Sequence, residues 1–550
     1  DDFALTRLGE FREAYDHFQA SIAAQAAGNQ DEAKAQLDQA CGSLLEISLS
    51  VFIEYDKEDD LAPISSLIMD LDPNRQDALI ECCFRADKPE RMFREFESNK
   101  DKYESDFMTF LRRRITSHYS VHYCALDALD RENKKEITRS DIWNAFSVKF
   151  IYAQNKLDDL YTDKSKGLSR GFEAYYNAID NQEETTGTLE DLLEEISKDL
   201  DKKYVLLFKS VFDDLKTFGV GTIESLQEIN VISRLSAKGL LSGSTQVVYG
   251  HGDDQLPESH NGLGYTKLIF TILQFIAFFE EFKKQVPQPG FQIVFVEEPE
   301  AHLHPQMQTV FVKNIQEFLN VKEGWNVQVI VTTHSSHIVS ECGFPCIRYF
   351  DNSVQPLQVK DLSEFEIGLT ASDPDAKNFL TQYMVLHRCD MFFADKVILI
   401  EGTAERLLLP AMIPKAAPGL LHQYISVIEV GGSYAVKFKP LIEFLNVQTL
   451  VVTDIDSVLA TGRHPASPVE EAGAISCNPT LKTWLPTMTQ IVDLLAATAA
   501  QKVAGRVRVA YQVPEQAAQR CGRSFEESFI IANAETFSTN EKEISVIRIF

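Results

Sequence analysis

A chain of 550 residues is long enough for two to four domains, and its 44% hydrophobic content supports ordinary buried cores. A formal net charge of −28 argues against a generic nucleic-acid binder, which is usually basic. Nine scattered cysteines without paired CxxC spacing argue against a disulfide framework or a structural zinc site and fit a reducing cytoplasm.

The first residues, DDFALTRLGEF, are too acidic and too polar for a signal peptide. Residues 1–40 then predict two helices, FREAYDHFQASIAAQ and DEAKAQLDQACGSLL, around a Gly28–Asn29 turn. Alternating or β-branched segments predict strands at 45–55, 78–86 and 120–127. DRENKKEITRSD (130–141) imitates a calcium loop, but Lys134 and Lys135 stand where a ligand and a glycine belong, so a helix cap at Thr138 or Ser140 is the better account. The polar, weakly periodic stretch 153–217 predicts a solvated helical arm or hairpin. A strand pair at 229–235 and 244–250 follows, then a glycine-rich segment, GHGDDQLPESHNGLGYTKLIF. The longest apolar run, 268–279, falls short of the about 20 residues a bilayer span needs and predicts a buried helix. Strand–helix alternation runs from 291 to 350, and a break at 352–392 leads into a new α/β unit, which places a domain boundary near residue 390. Residues 391–550 carry 14 Lys/Arg against 16 Asp/Glu, net −2, so the remaining −26 lies in 1–390 and the C-terminal third repels DNA far less.

Two hydrophobic strands end in chemically capable residues. FQIVFVEEPEAHLHP puts Glu297 and Glu298 after Ile293–Val296, and VQVIVTTHSSHIV puts His334 after Val327–Val331. A carboxylate pair at a strand end can hold Mg²⁺ and orient water, and a histidine one strand later can reach a γ-phosphate. Upstream, Ser259, Asn261, Gly262 and Gly264 precede a helix beginning near Tyr265. Glycines permit close approach, and free N–H groups at a helix start favour phosphate. His302 and His304 read as structural residues.

Further on, DKVILIEGTAERLLLPAM reads as strand, turn and helix, with Glu401 ending the strand, Gly402 turning and Glu405 opening the helix. TLVVTDIDS places Asp454 and Asp456 two apart at a later strand end, after a Gly431–Gly432 turn, so both can face one site.

The order of glycine-rich loop, carboxylate strand and histidine strand resembles the signature, Walker B and switch segments of ABC-type ATPases, and the Glu-then-DxD order resembles a TOPRIM domain. Together ESHNGLGYTKLIF, VFVEEPEAHLHP and VTTHSSHIV resemble the OLD (overcoming lysogenization defect) nucleases, the family that includes the Gabija A-component. The resemblance covers nearly all of residues 40–535 and implies an α/β fold. In that fold 1–152 form part of an ATPase N-lobe, 153–217 an arm or dimerisation insertion, 218–390 the ATPase C-lobe and 391–550 a TOPRIM nuclease domain. It implies that Glu297 holds Mg²⁺, Glu298 orients water and His334 senses the γ-phosphate. Ser259 and Gly262 would then contact ATP bound to a partner subunit, with Glu300 in a loop at the dimer contact. At the TOPRIM site, two divalent metals about 4 Å apart are expected to neutralise Glu401, Asp454 and Asp456, one activating water and the other stabilising the leaving 3′ oxygen. Hard oxygen donors suit Mg²⁺ or Mn²⁺. Glu405 is a further ligand candidate, and SFEESFIIAN resembles a later metal-site segment in which Glu526 is preferred to Glu527.

No GxxxxGK[ST] occurs in the sequence. In the family that loop precedes the segment resembled by DDFALTRL, so the chain is expected to begin after it. A C-terminal lysine used by family members has no match either. The expected function is an ATP-regulated, metal-dependent DNA endonuclease or nickase of antiphage type, a dimer or tetramer, with a helicase-like partner as in Gabija. An SMC-like clamp with an inert TOPRIM unit and a TOPRIM topoisomerase or primase are the alternatives. Lys437, Lys439, Arg506, Arg508, Arg520 and Arg523 are candidates for a DNA path, against the competing reading of ordinary surface charge.

Overall fold

The helical start of the chain follows from its turn chemistry. Gly28 adopts φ +83°, which ends the helix Gly9–Ala26, and the Asn29 side chain accepts from the Glu32 N–H to cap the next helix, Gln30–Gly42. The structure is a computed structural model that describes residues 3–534 except 71, 154–185, 219–228, 234–244, 252–253, 258–262, 355, 386–388, 433 and 515–519. Ser259, Asn261 and Gly262 therefore lie outside the described residues, as does the first half of the expected arm, whose second half forms helices Thr186–Leu207 and Lys209–Thr217. The chain divides into two units, residues 1–151, 271–296 and 321–330, and residues 152–270, 297–320 and 331–550.

In the first unit the three expected strands join a fourth in one antiparallel sheet, β1 (Ile47–Glu54), β2 (Asp77–Ala86), β3 (Tyr119–Leu126) and β4 (Lys134–Glu136). Phe11, Phe18, Phe93, Phe96, Phe107 and Phe110 make the core beside it, with Phe18 stacked on Phe93 at 4.8 Å between ring centroids. Thr138 caps the helix Arg139–Ala145 through a reciprocal bond pair with Asp141. That helix feeds β5 (Phe146–Ile151), which runs parallel to β9 (Phe291–Glu297), and β10 (Val327–Thr332) lies on the far side of β9. The polar Gln292 is fully buried in β9 because its amide donates to the Ser147 hydroxyl at 2.9 Å and accepts from the Trp325 indole at 3.2 Å.

The apolar run 268–279 lies in the helix Leu263–Lys284, where Leu268, Ile272, Phe275 and Phe279 are buried. No helix among the described residues is long and apolar enough to cross a membrane. In the second unit β6 (Ile229–Ser233), β7 (Thr245–His251) and β8 (Asp254–Pro257) form an antiparallel sheet, and β11 (Arg348–Asp351) pairs with β12 (Gln358–Asp361).

Strands between Lys396 and Ala510 build the sheet that positions the acidic site. Its order is β14 (Ile425–Glu429), β13 (Lys396–Ile400), β15 (Gln448–Val452), β19 (Val507–Ala510) and β18 (Val503–Ala504), and the first four strands are parallel. A hairpin of β16 (Ser457–Leu459) and β17 (Ala474–Ser476) follows β15. Val397, Ile398, Leu399 and Ile400 are all buried, the pattern of a central parallel strand covered on both faces.

Phe93→Ala would open a void in the aromatic cluster of the first unit. It is expected to cost about 3–5 kcal/mol, seen as a lowered urea midpoint in the transition reported by that unit.

Candidate active site

Parallel pairing brings the acids together. Leu399 lies opposite Val451, which sets Glu401 level with Thr453 two residues later. Val452 lies opposite Ala510, which sets Asp454 level with Gln512, and Ile400 lies opposite Glu429. The site thus forms beyond the carboxyl ends of adjacent parallel strands, where open α/β sheets place their ligands.

Glu401 points into this pocket and meets the segment that carries Asp454 and Asp456. Its Oε1 accepts from the Thr453 hydroxyl in a short contact, from the Asp454 N–H at 3.0 Å and from the Asn478 amide at 2.9 Å. The Asn478 amide also lies 2.9 Å from the Asp454 carbonyl oxygen and 3.4 Å from Asp456 Oδ2. Asp454 Oδ1 accepts from the Gln512 amide at 2.6 Å and from the Phe525 N–H at 2.8 Å. Asp456 holds φ +47°, a left-handed backbone that aspartate tolerates better than most residues, with its N–H bonded to the Arg523 carbonyl at 3.1 Å. The Gly431–Gly432 turn supplies two left-handed residues, φ +73° and +76°, and lets the Gly432 N–H bond the Glu401 carbonyl at 3.0 Å.

Burial raises every member of the set, and repulsion between acids adds to it at Glu401 and Asp454. Burial, with the charge of Glu401 and then Asp456, pushes Asp454 up to about 7. Burial also raises Glu401, aided by Asp456 and opposed by its three hydrogen bonds. Burial raises Asp456 too, partly offset by the Arg523 guanidinium. Glu405 is 3% exposed, accepts from the Gly402 N–H at 3.2 Å, and is raised by burial and by Glu526 and Glu429. Glu526 accepts from the Ser524 hydroxyl at 3.0 Å, whereas Glu527 turns back to the Arg523 N–H at 2.8 Å.

Among the described residues no group of three or more His, Cys, Asp and Glu side chains is arranged so that it could hold a metal ion. Glu401 and Asp456 are bridged by Asn478 instead. The donor chemistry nonetheless fits hard divalent cations, since it is all oxygen, clustered, and held in an excess of negative charge that a cation reverses.

At the other motif, β9 ends on Glu297, and Glu298 turns to φ +40° with its N–H bonded to the Thr332 carbonyl at 2.9 Å. His334 Nε2 lies 3.7 Å from Glu298 Oε1, and both side chains are open, 80% and 47% exposed. The His334 N–H donates to Glu300 Oε1 at 2.6 Å, so Glu300 fixes the histidine turn. Lys267, 4% exposed, donates to the carbonyls of Glu298 at 3.1 Å and Ala153 at 3.0 Å. Gly264 has a packing reason. A Cβ there would meet the His302 carbonyl oxygen at 2.3 Å.

Sequence reasoning missed Thr453, Asn478, Gln512 and Lys267. Asn478 before Pro479 reads as a helix cap, which it is, its Oδ1 accepting from the Thr480 N–H at 2.9 Å. Nothing local marks its other end. Thr453 beside the DxD was the one available signal.

Two domain families match the chain. Residues 130–339 match the family described as an AAA ATPase domain, and residues 392–456 match the overcoming lysogenization defect protein-like TOPRIM domain. Over 516 residues the chain is 25% identical to an endonuclease GajA of Bacillus cereus (strain HuB5-5), covering 89% of this chain and 72% of that protein. It is also 25% identical over 219 residues to an OLD nuclease of Thermus scotoductus (strain ATCC 700910 / SA-01), covering 39% of each. A Pyrococcus furiosus Smc head domain crystallised with part of ScpA aligns at 13% identity over 56% of this chain and 84% of its own, with a TM-score of 0.23, too low to bear on fold or function. The chain thus carries an AAA-type ATPase domain followed by an overcoming lysogenization defect protein-like TOPRIM domain, and it is homologous to the GajA endonuclease and the OLD nuclease.

Proposed function

We propose that this endonuclease cuts or nicks DNA with divalent cations at the Glu401, Asp454 and Asp456 pocket, controlled by the ATPase head, and that it serves defence against phage as a dimer or tetramer, with a helicase-like partner. The nuclease domain is assigned to 391–550, the ATPase lobes to 1–152 and 218–390, and the arm to 153–217. One observation carries the reading: three acids from two strand ends share one buried, acceptor-rich pocket. A structural role does not account for burying like charges together. It also favours a cutting enzyme over a clamp with an inert TOPRIM unit.

Glu401, Asp454 and Asp456 would hold Mg²⁺ or Mn²⁺, with Glu405 and Glu526 flanking. Bound there, the cations supply charge neutralisation at the scissile phosphate and an acidified water. The chain's own contribution is positioning and proton control. Without a cation, Asp454 near neutral pH holds a proton on its carboxyl for about half the time, and cation binding releases it. The Arg523 guanidinium acts on Asp456 and supplies positive charge beside the acids, and among the described residues its buried Nε has no hydrogen-bond partner. At the head, Glu298 and His334 supply the water-orienting and phosphate-sensing side chains, Glu297 the Mg²⁺ carboxylate, and Ser259, Asn261, Gly262 and Gly264 the loop facing the partner's ATP. Phosphodiester hydrolysis is downhill without ATP, so the head regulates rather than drives.

Supercoiled plasmid incubated with Mg²⁺ or Mn²⁺ is expected to be relaxed or linearised by the wild type. Asp454→Ala is expected to lose at least the about 10–100-fold that even outer partners of a metal site cost. Equal cutting by both proteins would remove the assignment.

The proton on Asp454 also sets a stability test. Between the ordinary carboxylate range and about 7 the folded chain holds a proton that the unfolded chain has released, so this residue makes folding less favourable as pH rises through that window. In EDTA, Asp454→Asn should therefore melt above the wild type at about pH 8, with a gap that closes towards about pH 5. A gap of the same size at both pH values would contradict the buried-charge account.

A further inference from the structure

Each acid in the pocket has one oxygen taken by a neutral donor and one left over. Glu401 Oε1 receives three donors, from Thr453, Asp454 and Asn478. Asp454 Oδ1 receives Gln512 and the Phe525 N–H. Asp456 Oδ2 faces Asn478 at 3.4 Å. Among the described residues Glu401 Oε2, Asp454 Oδ2 and Asp456 Oδ1 accept no hydrogen bond.

Asn478 joins two of these anchors. It is completely buried, and its amide orientation is fixed from both ends. Its Oδ1 accepts from the Thr480 N–H, so its Nδ2 must face the acids. Four oxygens surround Nδ2, namely Glu401 Oε1, Thr453 Oγ1 and the Asp454 carbonyl at 2.9 Å and Asp456 Oδ2 at 3.4 Å. An amide nitrogen carries only two hydrogens, so this amide is shared, and its removal frees both carboxylates to swing.

We infer that Asn478 is a positioning residue that makes Glu401 and Asp456 present a single oxygen each, and that it thereby gives the pocket a preference for Mg²⁺ and Mn²⁺ over Ca²⁺. This rests on reading the pocket as a cation site. The chemistry follows from coordination. Ca²⁺ takes about six to eight oxygens and readily uses both oxygens of a carboxylate, whereas Mg²⁺ takes one oxygen from each of a few carboxylates and keeps waters. A carboxylate with one oxygen already bonded serves the second habit and obstructs the first. Partners that orient ligands in this way commonly tune which metal binds and how tightly.

The test is Mn²⁺ binding followed by electron paramagnetic resonance, with Ca²⁺ as competitor, on the full chain. Asn478→Asp keeps the helix cap, since aspartate caps as well as asparagine, but replaces the shared donor with an acceptor. Its Mn²⁺-over-Ca²⁺ preference is expected to fall on the order of tenfold. Thr453→Val removes a second donor on Glu401 without touching the cap, should shift the preference the same way, and decides the matter if Asn478→Asp does not fold. An unchanged preference in the deciding variant, with wild-type Mn²⁺ binding that depends on Asp454, overturns this inference and leaves the site reading intact. Mn²⁺ binding that is absent, or equal in wild type and Asp454→Ala, overturns both.

Discussion

Three carboxylates held within one buried pocket repel each other, and the C-terminal sheet is built to hold them there regardless. The restraint comes from neutral donors, the Thr453 hydroxyl, the Asn478 and Gln512 amides and the Phe525 N–H. None of these cancels charge. They lower the cost of each ionised oxygen without supplying the positive charge that would make the cluster comfortable. The cluster therefore keeps more negative charge than the Arg523 guanidinium beside Asp456 offsets, and Asp454, pushed up to about 7, registers that excess. Parallel pairing makes the arrangement possible, since it lines up Glu401, Thr453, Asp454 and Gln512 at one end of three neighbouring strands.

The two candidate sites differ in how they are secured. At the acidic cluster the carboxylates are sunk and pinned by hydrogen bonds. At the head, Glu298 and His334 stand open to solvent, and it is their backbones that are fixed, by Thr332, Glu300 and Lys267. An open pair on a fixed backbone suits residues that meet a ligand presented from outside. A sunk cluster suits residues that must keep a set spacing around ions.

Much of this was legible in the sequence. The unbroken apolar run Val397–Ile400 announced a strand, which the fold places in the middle of parallel neighbours, and the two-residue spacing of Asp454 and Asp456 announced a shared site. The Gly28–Asn29 turn and the Thr138 cap were readable because turn and cap chemistry is local. What escaped was everything that depends on a distant neighbour. Asn478 lies 77 residues from Glu401 and reads as a plain helix cap, because the cap occupies one end of its amide and says nothing about the other. Gln512 gains its role only from the register of β19 against β15. Gly264 looked like part of a phosphate loop, yet its lack of a side chain is also required by the His302 carbonyl, a contact no local pattern encodes.

The paired glycines over Glu401 have one more consequence. Among the described residues nothing lies within 4 Å of where a Cβ would stand at Gly431 or Gly432, so the bar to a larger residue there is the backbone angles. The rim beside the acids is consequently a ledge of bare peptide, and mutational drift meets a steep conformational toll before it can roughen that ledge. An approaching polymer would find an unobstructed doorstep there, kept smooth by torsion rather than by crowding.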